Sequence, residues 1–111
     1  MPVYTTEGGW LHHPAQQLVD ETLAAKAQGF RGAKLKVGKP AIGEDVRRLD
    51  AVRAAVGDDF ELMVDANQAW TVPEALRRAH AYSALRLAWL EEPLPAEDLG
   101  GHVELAARAT M

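Results

Sequence analysis

Cysteine is absent from this 111-residue sequence. Its absence excludes a disulfide framework and thiolate chemistry. No apolar run is long enough to span a bilayer, and Met1 opens no signal-peptide pattern. Low-complexity tracts and Pro/Gly/Ser linkers are missing too. Neither sign of charge is in large excess: 16 acidic and 12 basic side chains, interspersed, leave a net charge of -4. That balance argues against nucleic acid or an anionic membrane as partner. The sequence therefore suits a reducing cytoplasm. What remains is ordinary globular composition, 48% hydrophobic and 25% charged, enough for one domain with a modest core.

Four apolar runs alternate with four helical stretches. Val3 to Thr6 reads as a short strand, rich in β-branched and aromatic residues. A loop through Trp10, His12 and His13 leads to Pro14, which suits the first turn of a helix running to about Gln28. Leu18, Thr22, Leu23 and Ala27 are its expected apolar side, and Gly29 its left-handed stop. Ala33 to Val37 is the second strand. Ile42, Val46, Leu49, Val52 and Val56 then form an amphipathic stripe at steps of three and four, closed by Gly57. Phe60 to Asp65 is the third strand. Thr71 and Glu74 match a capping box, with Ala75, Leu76, Ala79 and Ser83 along one face of the helix it opens. Leu87 to Glu91 is the fourth strand, stopped by Pro93 and Pro95, and Gly101 to Met111 is the fourth helix.

This β-α repetition predicts an α/β fold with a parallel sheet and helices packed on it. Lys36 and Asp65 lie 29 residues apart, and Asp65 and Glu91 lie 26 apart, intervals that suit successive βαβ units of about 30 residues. In such folds the C-terminal strand ends carry the site. The polar candidates fall at those ends. Lys34 and Lys36, one residue apart in a strand, point the same way. Two ammonium groups aimed together into a fold are costly unless an anion or a catalytic need justifies them. Asp65 and Glu91 end adjacent strands, where converging carboxylates suit Mg²⁺. Asn67, two residues past Asp65 and on its face if extended, offers an amide to the metal shell or to a substrate hydroxyl. A lysine crowded by cations can act as a general base, and a divalent ion can hold a carboxylate while the adjacent C–H is deprotonated to an enediolate.

Each element alone has an ordinary reading. A Lys-x-Lys pair is usually an exposed edge strand, Asp65 a loop cap, and Glu91-Glu92 solvated surface. Trp70 and Trp89 suit core or loop packing, and His12-His13 a surface loop without further metal-ligand pattern. Coincidence at three successive strand ends favours the joint reading. A different class is a doubly wound signalling domain with Asp65 as phospho-acceptor. It lacks an acidic pair at Thr5-Thr6 and leaves Lys34, Lys36 and Glu91 unexplained.

The runs Gly29 to Gly38, Val56 to Phe60, Met63 to Gln68 and Trp89 to Leu94 resemble the mandelate racemase and muconate lactonizing group of the enolase superfamily. Order and spacing match along nearly the whole chain, and the runs are as close to acid-sugar dehydratases such as galactarate or talarate dehydratase. A lysine base with carboxylate-held Mg²⁺ is the pattern already described for this superfamily. The resemblance implies a (β/α)8 TIM barrel, with residues 1–111 as its first four βα units. Lys36 matches the base that takes the proton α to a carboxylate. Lys34 matches the lysine that binds that carboxylate. Asp65 and Glu91 match the first two Mg²⁺ ligands, Glu92 is not carried over, and Asn67 matches a polar residue facing metal and substrate. The implied partner is a small carboxylate, an acid sugar or 2-hydroxy acid. The family's capping domain, strands five to eight, third acidic ligand and His–Asp partner find no counterpart in these residues. Open parallel edges then predict self-association or a complementing half barrel. The alternative expectation is a non-catalytic truncated half barrel.

Overall fold

The computed structural model of the chain describes residues 4–5, 8–91, 93–95 and 97–108. Strand β1 (Tyr4–Thr5) is followed by α1 (Ala15–Ala27), β2 (Gly32–Lys36), α2 (Ile42–Val56), β3 (Glu61–Asp65), α3 (Val72–Tyr82), β4 (Trp89–Glu91) and α4 (Leu99–Arg108). The four strands form one parallel sheet in the order β1-β2-β3-β4. In doubly wound signalling domains the first strand lies between the second and third. Here each strand neighbours the next in sequence, which removes that alternative. No helix among the described residues is long and apolar enough to cross a membrane.

The core lies between the sheet and its helices, built on Leu18, Leu35, Leu49, Val52, Leu62, Val64 and Tyr82. Strand β2 alternates: Ala33 and Leu35 are buried, Lys34 and Lys36 half-buried on the opposite face. The α1 stripe differs from expectation. Leu18, Thr22 and Ala25 are buried, whereas Leu23 is 40% exposed and Ala27 is exposed. Steps of four and three from Leu18 reach Thr22 and Ala25, while Leu23 falls about 100° further round. Pro14 is the residue that caps α1, just outside its first turn.

Helix α3 buries Ala75, Arg78, Ala79 and Tyr82, and Ser83, itself exposed, starts a 3-10 turn that buries Leu85 instead of extending the apolar face. Half of the capping box forms: Thr71 Oγ1 accepts the Glu74 N–H at 3.5 Å, while the Glu74 carboxylate accepts from Arg77 and Arg78. Strand β4 is shorter than predicted, and α4 begins at Leu99, two residues before Gly101. Val3, Thr6, Glu92 and Met111 lie outside the described residues. Gly29 and Gly57 take positive φ at the ends of α1 and α2, as their positions predict.

Two buried charged groups pin this scaffold. Arg53 donates to the carbonyls of Leu85, Gly57, Phe60 and Arg86 at 2.6–3.0 Å, locking the loop before β3 to the loop before β4. Arg53→Met keeps the stem but removes all four donors, so a loss of about 2–4 kcal/mol in urea unfolding is expected. A loss below about 1 kcal/mol would show that water replaces the guanidinium there. Asp45 is fully buried, and its carboxylate accepts from Arg78 at 2.6 Å, Tyr82 Oη at 2.7 Å and the Gly38 and Lys39 amides at 2.9 and 3.1 Å. Burial pushes the Tyr82 phenol up and the Asp45 charge pushes it the same way, so Tyr82 stays a donor.

Candidate functional site

The parallel register sets Lys36 beside Asp65, and Asp65 beside Glu91. Side chains two apart in a strand share a face, so Lys34 and Lys36 meet Asp65 across β3. Lys36 Nζ donates to Asp65 Oδ2 at 2.9 Å and to Asn67 Oδ1 at 3.2 Å. Lys34 Nζ lies 3.2 Å from Glu91 Oε2 and 3.8 Å from Asp65 Oδ2. One ammonium thus spans both carboxylates. All five residues singled out in the sequence come together at the C-terminal ends of β2, β3 and β4.

Asn67 arrives by a route the sequence reading did not foresee. It is not extended: Asn67 and Gln68 both take left-handed backbone, at φ 51° and 63°. Asparagine tolerates that region better than most residues, and such conformations cluster at functional sites. The turn lets the Asn67 N–H reach Asp65 Oδ1 at 2.8 Å while its side chain meets Lys36. Burial alone would raise the Asp65 carboxyl. The hydrogen bonds from Lys36 and the Asn67 amide, with the charges of Lys36 and Lys34, outweigh it and hold Asp65 below the ordinary carboxylate range.

Sequence reasoning missed what supports these groups. Arg48, buried on α2, donates to the Lys36 carbonyl at 3.2 Å and to the Trp10 carbonyl at 3.0 Å. It ties the C-terminal end of β2 to the loop after β1. In that loop the Trp10 ring lies 5.8 Å from Lys36 Nζ, within cation–π range, and is 49% exposed. Gly9 continues the strand pairing, its carbonyl accepting the Lys36 N–H at 2.8 Å. A Cβ at Gly9 would lie 2.6 Å from the Lys34 carbonyl, so only glycine fits. Trp70 is core, as expected, with Arg78 over its ring at 5.3 Å. His13 Nδ1, in the loop before α1, lies 3.1 Å from Glu21 Oε1 on α1. The available signal for Arg48 was its place beside Leu49 in the α2 stripe, where a charge is costly without partners.

The donor set is hard and sparse. Asp65 and Glu91 are its two carboxylates, and no cluster of three or more His, Cys, Asp or Glu able to hold a metal occurs among the described residues. Two carboxylates already sharing one cation, Lys34, fit an ion that takes few protein ligands and fills the rest with water or substrate oxygen, as Mg²⁺ does.

The chain as a whole is similar to known proteins. L-talarate/galactarate dehydratase of Salmonella typhimurium is 49% identical over 104 residues, covering 94% of this chain and 26% of that protein. The crystal structure of L-talarate dehydratase from Polaromonas sp. JS666, complexed with Mg and L-glucarate, superposes with a TM-score of 0.94 at 43% identity, covering 100% of this chain and 31% of that one. A racemase from Streptomyces coelicolor A3(2) with bound magnesium gives a TM-score of 0.92 at 41% identity, covering 98% and 30%. The chain therefore spans about a quarter to a third of the length of these relatives, all of which are enzymes. The family described as "Enolase C-terminal domain-like" matches residues 17–111. By its sequence, its parallel sheet and its likeness to these proteins, the chain belongs to the enolase C-terminal domain-like family.

Proposed function

We propose that the chain forms the first four units of a (β/α)8 barrel and carries half of a Mg²⁺-assisted site for removing the proton α to a carboxylate. One observation carries this reading: Lys34, Lys36, Asp65, Asn67 and Glu91 converge on one face at three adjacent strand ends. Consecutive parallel neighbours are the order of a barrel wall, and its active site lies at that end. A complementing half barrel, or a second copy pairing at the open edges, would supply the remaining wall. The substrate class is a small acid sugar or 2-hydroxy acid.

Asp65 and Glu91 are the residues that would hold the metal. When bound, Mg²⁺ supplies positive charge that binds the substrate carboxylate and offsets the charge developing on it. Asp65 and Asn67 position Lys36 Nζ, which, once it has given up its own proton, takes the α-proton as the neutral amine. Lys34 contributes an ammonium for the substrate carboxylate. Loss of a β-hydroxyl would complete a dehydration, and return of the proton to the other face a racemisation. Trp10 covers the Lys36 side and limits water there.

The test is thermal unfolding with and without Mg²⁺. An ion that binds only the folded chain stabilises it. At tenfold excess over Kd the gain is about 1.4 kcal/mol, or about 5–10 °C for a domain of this size. Asp65→Asn is expected to abolish the shift. Equal shifts in both proteins, or none in either, would remove the metal from this reading and leave a half barrel without its chemistry.

A further inference from the structure

A second feature lies away from the lysines and carboxylates of the candidate site. Between the start of α1 and the first turns of α2 is a cavity of about 490 Å³, lined by His12, His13, Lys39, Glu44, Arg47 and Arg48. Its volume suits a small metabolite. Three of these side chains are cationic at neutral pH, and Glu44 is the one carboxylate among them.

The cations are unusual within this chain. Lys26, Lys34, Lys36, Arg48, Arg53, Arg77, Arg78 and Arg86 all donate to a carboxylate or carbonyl. Among described side chains, Arg31, Lys39 and Arg47 have no such partner, and two of these three line the same cavity. Beneath them Arg48 is 6% exposed, and its Nε–H is the one buried side-chain polar atom without a hydrogen-bond partner among the described residues. The wall also includes the beginning of α1. Pro14 caps that helix without a side-chain acceptor, and no acidic residue occupies its first turn. Its first amides are thus left to solvent or to an anion. An uncapped helix start and unpaired cations lining the same cavity share one chemistry.

We propose that this cavity binds a small polyanion, a phosphate ester or a di- or tricarboxylate, separately from the magnesium site. The lysines and carboxylates of that site do not line it. Arg48 forms part of its wall and also holds the Lys36 and Trp10 carbonyls, so an occupant bears on the segment that positions Lys36.

The experiment titrates the full chain with inorganic phosphate and, separately, with citrate, at constant ionic strength, following amide chemical shifts. Saturable changes are expected at residues 12, 13, 15, 39 and 44–48. Stronger binding of phosphate assigns a phosphate ester as occupant, and stronger binding of citrate a polycarboxylate. Lys39→Ala with Arg47→Ala removes two side chains without ion pairs, so the fold is kept, and affinity should fall at least about tenfold. Arg31→Ala, which removes an unpaired cation elsewhere, should leave affinity unchanged. Asp65→Asn should leave it unchanged too, so this site and the magnesium site stand or fall separately. Sodium chloride reproducing the shifts, neither anion saturating, or Arg31→Ala weakening binding as much as the double variant would each overturn the proposal.

Discussion

Lys36→Met is expected to lower α-proton exchange by about 10²–10⁴-fold, the usual contribution of a positioned general base. The measurement is deuterium incorporation at the carbon next to the carboxylate of galactarate or L-talarate, with the chain complemented by the remaining half barrel of a related dehydratase. Methionine keeps most of the stem volume and removes the nitrogen. Asp65 and Glu91 remain in the variant, so Mg²⁺-dependent stabilisation should persist while exchange is lost. That split separates a missing base from a damaged fold. Undiminished exchange in Lys36→Met would transfer the role to Lys34, whose ammonium stands 3.2 Å from Glu91. The loss of Asn67 should be milder, since Asp65 still holds Lys36 at 2.9 Å.

Asp45→Ala is expected to cost about 3–5 kcal/mol in stability, the usual cost of breaking a buried ion pair by removing one partner. Removal of this carboxylate leaves the Arg78 guanidinium, at 3% exposure, with Glu74 alone as its ionic partner. It also leaves the Tyr82 hydroxyl and the Gly38 and Lys39 amides without their acceptor. For a single domain stable by about 5–15 kcal/mol, such a loss is a large fraction of the total. Arg78→Met should cost less, because Asp45 keeps the phenol and both amides. Urea unfolding of the two variants checks the order. If Arg78→Met proved the more damaging, the Arg78 contacts with Glu74, the Pro40 carbonyl and the Trp70 ring would be the principal brace instead. Because Asp45 holds Gly38 just past Lys36, its loss should also blur the candidate site.

The two predictions address different layers of the molecule, and the sequence exposes those layers unequally. Periodicity of two and of 3.6 is written directly into side-chain order, so the four strands and four helices were legible within a few residues. Glycines at helix ends were legible for the same local reason, as left-handed backbone needs no partner elsewhere. Lys34, Lys36, Asp65 and Glu91 could be singled out because charges ending apolar runs are costly, and that cost is local. Their convergence needed only a parallel register, which the β-α alternation itself demands.

Long-range pairing decided the rest. Which charges of α2 turn inward depends on carbonyls and cations supplied by other segments. Asp45 is met by Arg78 across 33 residues, Arg53 by Leu85 across 32, and Arg48 by Trp10 across 38. No window of the sequence contains both members of such a pair. Asn67 shows the same limit at shorter range, because its left-handed turn is chosen by contacts to Asp65 and Lys36 against the extended form its position suggested. The sequence alone thus determined the elements, their order and the residues at the strand ends. Only the folded chain decided how buried charges brace those ends, since their desolvation cost is met by groups brought together in three dimensions.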